Sequence, residues 1–327
     1  MLTKLCQVAC KLETVEGTDE FGAGTAPAGG DIFLAYNPKW TPGIKMNERK
    51  PARATLSPYP SLPGSRDAKF SFDIELVGGM AAGSPIGSSN AGANIGLASA
   101  LIACGIQQTL VVATSATYKS YSIVSAVPPI SNCSASFAWM MDGKMHKLWG
   151  GRGNAKITLE GGKPGMVNIE ITGADWSDED ESLVAAAIVY NTNVPPVFQS
   201  ATFLLDGAYT AIVDKLVIDL GNKVVLRKDA TAGSNHRSAI IVDRNPSLTF
   251  DPENVLVATH DFMGKWKAGT LASLATSWGS TPSAFAITAG TIQYQGISHA
   301  ERDGQATLDI NALMTGTGDN EWSMAIT

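Results

Sequence analysis

Residues 69–79 read KFSFDIELVGG, and that alternation constrains the fold more than any other feature of the chain. Phe70, Phe72, Ile74 and Leu76 fall on one side of an extended backbone, and Ser71, Asp73 and Glu75 on the other. Successive side chains of a strand point to opposite faces, so this period marks a half-buried strand. The texture recurs. AKITLE (155–160) and MVNIEIT (166–172) alternate on either side of GGKPG and predict a hairpin. FAWMMDGKMHKLWGG (137–151) predicts another about Asp142–Gly143, a dipeptide suited to a two-residue turn. DKLVIDLGNKVVLRKD (214–229) predicts a third about Gly221–Asn222. With 33 glycines and 16 prolines punctuating nearly every apolar run, the expected class is mainly β, a sandwich or barrel.

One segment has the other period. In LASALIACG (97–105), Leu97, Ala100, Leu101 and Cys104 fall at i, i+3, i+4 and i+7, with Gly105 placed as a C-terminal cap and Asn94 as an N-cap. The phrase returns as LASLATSWG (271–279), identical at Leu97/Leu271, Ala98/Ala272, Ser99/Ser273 and Gly105/Gly279. Leu271, Leu274, Ala275 and Trp278 fit the same helical template, and Thr270 supplies an N-cap, so a second helix is expected there. Flanking matches keep the order. FSFDIEL (70–76) echoes SLTFDPENVL (247–256), sharing Phe-Asp at 72–73 and 250–251, and PGMVNIEITGA (164–174) echoes DGQATLDINAL (303–313), with Glu170 and Asp309 in register. The last spacing is shorter by about 35 residues, which assigns extra length, FAWMMDGKMHKLWGG included, to the first copy. The chain thus reads as two fused copies of a mainly-β module with one short helix each.

The expected organisation is an extended N-terminal arm (1–30), a first β domain (31–173), an acidic and proline-bearing linker (174–198) and a second β domain (199–327). Within the linker, VAAAIVY (184–190) is apolar enough for a strand. Thr41–Asp67 contains five prolines and little apolar pattern, and reads as a long loop that is functional or ordered by a partner.

Hydrophobic content of 44% with 17% charge describes an ordered chain, and a net charge of −6 argues against a basic nucleic-acid-binding face. Cys6, Cys10, Cys104 and Cys133 form no CxxC pair and read as small thiols in a reducing compartment. The N-terminus lacks a signal peptide's apolar core and no run of 18 apolar residues occurs, so a soluble chain used without secretion is expected. His146, His236, His260 and His299 lie far apart, without a partner at ligand spacing. The chain has no GxSxG elbow, P-loop or HExxH. GGRGNA lacks the strand–helix setting of a dinucleotide loop, and Asp178–Glu181 lacks the ligand alternation of a calcium loop. Glu160, Glu170 and Asp309 read as outward strand positions rather than a glycosidase pair. Trp139, Trp149 and Trp278 suit a sugar site or, more commonly, a core. The reading is of a non-enzyme with no cofactor and no metal.

An ordered set of segments resembles the major tail tube proteins of long-tailed bacteriophages. The set comprises KLETVEGTD (11–19), FSFDIELVGG (70–79), the small-residue helix ending in ACG (103–105) and WGGRGNAKITLEGGKPGMVNIEITG (149–173). DLGNKV (219–224), VDRNPSLTFDPE (242–253) and RDG (302–304) complete it. The resemblance implies a β-sandwich or barrel with a flanking helix, assembled into rings whose inner sheets close around a channel and which stack into a tube. Most members of that family place one domain in each chain and form hexamers, and some fuse two, so that a trimer makes a pseudo-hexameric ring; the repeat favours the trimer. The resemblance also implies a virion tail location after assembly in the host cytoplasm, and partners among tape measure, tail terminator and baseplate proteins. DNA would pass only transiently through the lumen, and no membrane is involved.

The arm and the Thr41–Asp67 segment are the expected axial contacts. Lys45, Arg49, Lys50 and Arg53 make that segment basic, and Asp178, Glu179, Asp180 and Glu181 make the linker acidic, so opposite charges are expected to help stack successive rings. Two solvated surface runs are the alternative. Another tail component, such as a baseplate hub, tail terminator or decoration protein, and a carbohydrate-binding β-sandwich are the competing functional readings.

Overall fold

The computed structural model describes residues 4–22, 25–78, 96–112, 117–123, 134–184, 188, 190–281 and 283–326. Asn94, Cys133 and most of VAAAIVY lie outside the described residues.

The alternating segments assemble into one central antiparallel sheet. Its order is β3 (Tyr36–Asn47), β4 (Leu62–Glu75), β9 (Met166–Gly173), β8 (Lys144–Glu160), β13 (Val213–Asp219), β16 (Ser247–Pro252), β19 (Gln305–Met314) and β18 (Phe285–Arg302). Phe70, Phe72 and Ile74 of β4 are buried opposite Ile171, Ile169 and Val167 of β9, as the period-two reading expects. Leu248 and Phe250 of β16 are buried opposite Ala312 and Ile310 of β19. Glu170 and Asp309 point away from that core, as outward strand positions should. The hairpins expected at Asp142–Gly143 and at GGKPG both form, with Gly143 and Gly162 at positive φ.

The same pairing order appears in each half. Strand β8 enters a second sheet through its first residues, where it pairs with β7 (Ala135–Met141) on one flank and β10 (Asp175–Glu179) on the other. Beyond β7 lie β1 (Cys6–Leu12) and β2 (Ile32–Phe33). Strand β18 likewise pairs with β17 (Ala272–Trp278) and β20 (Ser323–Ile326), and beyond β17 lie β11 (Thr202–Leu205) and β12 (Tyr209–Thr210). An additional hairpin, β5 (Ile106–Val112) and β6 (Thr117–Ile123), extends this second sheet through β20.

Irregularities coincide as well. A bulge interrupts β3 between Tyr36 and Lys39 and β13 between Val213 and Leu216. The first sits by Asp73, which accepts from Asn37 Nδ2 at 3.0 Å, and the second by Asp251, whose Oδ1 accepts the Asp214 and Lys215 N–H groups at 3.0 and 2.7 Å. The shared Phe-Asp of the sequence thus sets a carboxylate beside a bulge in each half, accepting a side-chain amide in the first and two backbone N–H groups in the second.

Several expectations are corrected. The first LAS phrase is helical, α1 (Gly96–Ala103), with Gly105 at φ +78°. The second is the strand β17: Ala272, Leu274, Thr276 and Trp278 are buried in alternation. Leu274 and Trp278 satisfy a period of four and a period of two alike, and the neighbouring strands decide between them. The second half's helix lies just upstream, α2 (Phe262–Ala268), with Asp261 capping the Gly264 N–H and Gly269 left-handed at φ +65°. Strand β17 corresponds instead to β7, whose Ala135-Ser136-Phe137-Ala138 matches Ala272-Ser273-Leu274-Ala275, each strand with a bulge after its first residue. FAWMM therefore has a structural counterpart in the second half, and the β5–β6 hairpin between α1 and β7 has none between α2 and β17.

DLGNKV is not a hairpin. Strand β14 (Asn222–Lys228) leaves the sheet and pairs with β15 (His236–Arg244). At Gly221, φ is +61° and a Cβ would lie 2.1 Å from the Asn245 carbonyl oxygen, so only glycine makes this exit. The long loop expected at 41–67 is about half hairpin: 41–47 belong to β3 and 62–67 to β4, and the loop is confined to 48–61. Pro42 is tolerated because β3 is an edge strand, and Pro63 because it lies at the start of β4. This hairpin and β14–β15 share register. Ile44 pairs with Arg66 and Met46 with Pro63, as Asn222 pairs with Arg244 and Val224 with Ile241, with a shift between the two pairs each time. The first stands exposed, whereas the second packs against β8.

The described residues of 1–30 are not a free arm. Beyond β1, Glu13 is buried and accepts from Ser134 Oγ (2.6 Å) and from the Gly17 and Gly150 N–H groups (2.7 and 2.5 Å). Lys147, 2% exposed, pairs with Asp19 at 2.7 Å and Glu179 at 2.6 Å and donates to the Phe21 carbonyl at 2.9 Å. A segment without apolar period is thus held by buried polar groups that its sequence pattern does not announce. Residues Asp175–Glu179 of the expected linker are likewise strand, β10, and Phe198 at its far end is buried edge-on to Trp278.

Replacing Lys147 by Met leaves the partly exposed Asp19 and Glu179 and the Phe21 carbonyl without their donor, and should cost about 1–3 kcal/mol in urea unfolding and open residues 13–22 to proteolysis. Burial pushes the Glu13 carboxyl above its ordinary value of 4.5, against the hydrogen bonds from Ser134, Gly150, Gly17 and Ser136 that pull it down. The stability linked to it is therefore complete below that value and lost as pH rises through the folded one. Glu13→Gln should remove this component, flattening the fall in unfolding free energy as pH rises above the carboxyl's ordinary value of 4.5.

Candidate assembly interface

Among the described residues the central sheet has two open edges. Strand β3 pairs there with β4 alone. Strand β18 pairs with β17 through Ile292, but from Gln293 to Arg302 that flank has no partner among the described residues, its other flank being taken by β19. An unpaired row of N–H and C=O groups is a template for another chain. Because the eight strands alternate in direction, β18 of one copy runs antiparallel to β3 of another laid beside it in the same orientation.

The β3 edge is also apolar and basic. Ile44 and Met46 are 47% and 53% exposed, and Leu62 faces solvent across the hairpin. Of the expected contact residues, Lys45, Arg49, Lys50 and Arg53 all lie exposed on this hairpin or its loop. Lys50 pairs with Glu48 at 2.6 Å, while Arg49 and Arg53 sit over the Tyr59 ring at 4.4 and 5.0 Å, and Arg53 donates to the Ser57 carbonyl.

The acidic set is divided. Asp178 and Glu179 close β10 and are already engaged within the chain, Asp178 with Lys144 (2.9 Å) and His146 Nδ1 (2.6 Å), Glu179 with Lys147. Asp180 and Glu181 follow the strand. Burial raises the Asp178 carboxyl, but the hydrogen bonds from Lys144 and His146 and their charges outweigh it and hold the group below its ordinary value. The structure does not bring the acidic and basic runs together in one chain's ion pairs.

The remaining polar residues are structural in their surroundings. His260 stacks on Tyr209 at 4.6 Å, His236 Nδ1 meets the Arg66 carbonyl at 2.9 Å, and His299 lies exposed on β18. Trp139 packs against Phe70 and His146, and Trp278 is buried on Phe285. Among the described residues no group of three or more His, Cys, Asp or Glu is placed to hold a metal, and no helix is long and apolar enough to cross a membrane. Strand edges were the signal that sequence reading missed, since the same alternation describes a paired and an unpaired strand.

No protein-family model matches the chain, and no curated protein matches it.

Asp178 contributes stability above its ordinary value near 3.8, lost as pH falls through the lower folded value. Being a third exposed, it is worth little: Asp178→Asn should cost about 0.5–1 kcal/mol at pH 7 in urea unfolding, with no cost once the wild-type carboxyl is protonated.

Proposed function

We propose that the chain is a structural virion subunit that self-assembles into stacked rings forming a phage tail tube, the conduit for DNA. The observation that carries this reading is a central sheet of two half-sheets with one strand order, β3-β4-β9-β8 and β13-β16-β19-β18, ending on two open edges of compatible direction. That correspondence supports a tandem duplication. It also supports a ring of three chains, in which six half-sheets close into one barrel and no edge is left. The sheet face away from the core mixes Asp73, Glu170, Asp251 and Asp309 with Lys69 and Lys156, a surface without the basic clustering that would hold DNA in a channel. The exposed β3–β4 hairpin, with its four basic residues, supports an axial contact between rings.

Negative-stain microscopy of the purified protein should show hollow rods or stacked rings. Closed rings that never propagate would favour another tail component, and a monomer persisting at high concentration would defeat the proposal. His299→Lys places a charge on the open β18 edge; it should abolish assembly while leaving the far-ultraviolet circular dichroism of the monomer unchanged.

A further inference from the structure

The chain carries its own template for the contact between copies. Strand β8 joins the two halves by pairing with β13, in the register Lys156↔Asp219, Ile157↔Ile218, Thr158↔Val217, Leu159↔Leu216 and Glu160↔Lys215. In the shared strand order, β18 holds the place of β8, and β3 the place of β13. Residue equivalences follow from the ladders. Phe72 pairs with Ile169 and Ile169 with Ala155; Phe250 pairs with Ile310 and Ile310 with Ile297. Ala155 therefore corresponds to Ile297, and Lys156 to Ser298. On the other strand, Ile218 opposes Leu248 as Trp40 opposes Phe70, and Asp219 opposes Ser247 as Thr41 opposes Lys69.

We infer that β18 of one copy pairs with β3 of a second copy in the register Ser298↔Thr41, His299↔Trp40 and Ala300↔Lys39, repeating the β8–β13 junction between chains. This inference rests on the ring proposed above and specifies its seam. The seam departs from its template at one bond. The Leu220 N–H donates to the Ala155 carbonyl at 3.1 Å, which turns the nitrogen of the corresponding Pro42 to the open side of β3. Proline has no N–H, so the seam lacks that bond, Pro42 contributes only its carbonyl, and the β3–β4 ladder stays intact. The faces agree with the register. Trp40 lies on the core side of β3, packed on Phe70, and the register sets exposed His299 beside it, as buried Ile157 lies beside Ile218. Ser298 and Thr41, both exposed, meet on the opposite face.

Ser298↔Thr41 is then a non-hydrogen-bonded pair, with Cα atoms about 4.5 Å apart, within disulfide reach. In one chain these residues stand at opposite ends of eight strands, roughly 30 Å apart, so a bond between them must join two copies. The experiment is oxidation of the double variant S298C/T41C, with S298C/K45C and the wild type, which has its own four cysteines, in parallel, read on non-reducing gels and by microscopy. The expected result is reducible covalent oligomers from S298C/T41C and none above the wild-type level from the other two. Rings or rods that form without this cross-link, or that link equally through Lys45→Cys, overturn the register and leave the tube reading standing. Absence of any assembly in the wild type overturns both.

Discussion

The ladder between β8 and β13 is the contact on which the rest of the architecture depends. Its five pairs turn two four-stranded sheets into one of eight, with Ile157 and Leu159 buried against Ile218 and Leu216. A polar clasp closes its upper end: Asn154 Nδ2 donates to Asp219 at 2.7 Å, and Asn222 Nδ2 donates to the Cys104 and Gly153 carbonyls at 2.7 and 3.0 Å. Since Gly221 must leave the sheet at that point, Asn222 is placed by the exit itself. Without this ladder each half would expose two strand edges, and with it the exposed edges are reduced to β3 and β18.

Much of this was legible. The alternation in FSFDIEL and MVNIEIT identified buried faces residue by residue, because period two has one physical meaning when it is sustained. Turn residues located Asp142–Gly143 for the same reason. The Phe-Asp echo was real at the level of local structure, since Asp73 and Asp251 lie beside matching bulges. What misled was LASLATSWG, a stretch too short and too rich in small residues to declare a period. Its neighbours β11 and β18 supply the hydrogen bonds that make it a strand, and they lie 70 or so residues away and one turn away respectively.

The candidate interface was less legible than the core. Charge runs suggested a basic and an acidic surface of equal standing, yet Asp178 and Glu179 are held by Lys144, His146 and Lys147 on the neighbouring strand. Sequence shows which residues carry charge; only the fold shows which charges are already answered. In the same way the polar stretch after β1 looked unattached, although Glu13 and Lys147 anchor it with buried hydrogen bonds that leave no periodic trace.

The two register-matched hairpins differ in what lies beneath them. The β14–β15 hairpin rests on the loop after β1, where Glu16 accepts from Ser238 Oγ and from Arg227 Nη1 at 3.1 Å, and Gly17 lies under the Arg237 carbonyl. The β3–β4 hairpin is held instead near its base, where Trp176 Nε1 donates to the Gly43 carbonyl at 3.3 Å and Arg66 pairs with Asp175 at 2.9 Å. The two halves are therefore not interchangeable: in the proposed ring, one end face would carry two kinds of hairpin tip in alternation, three of each. A component docking there would meet threefold symmetry, and a sixfold partner could seat only half of its contacts alike.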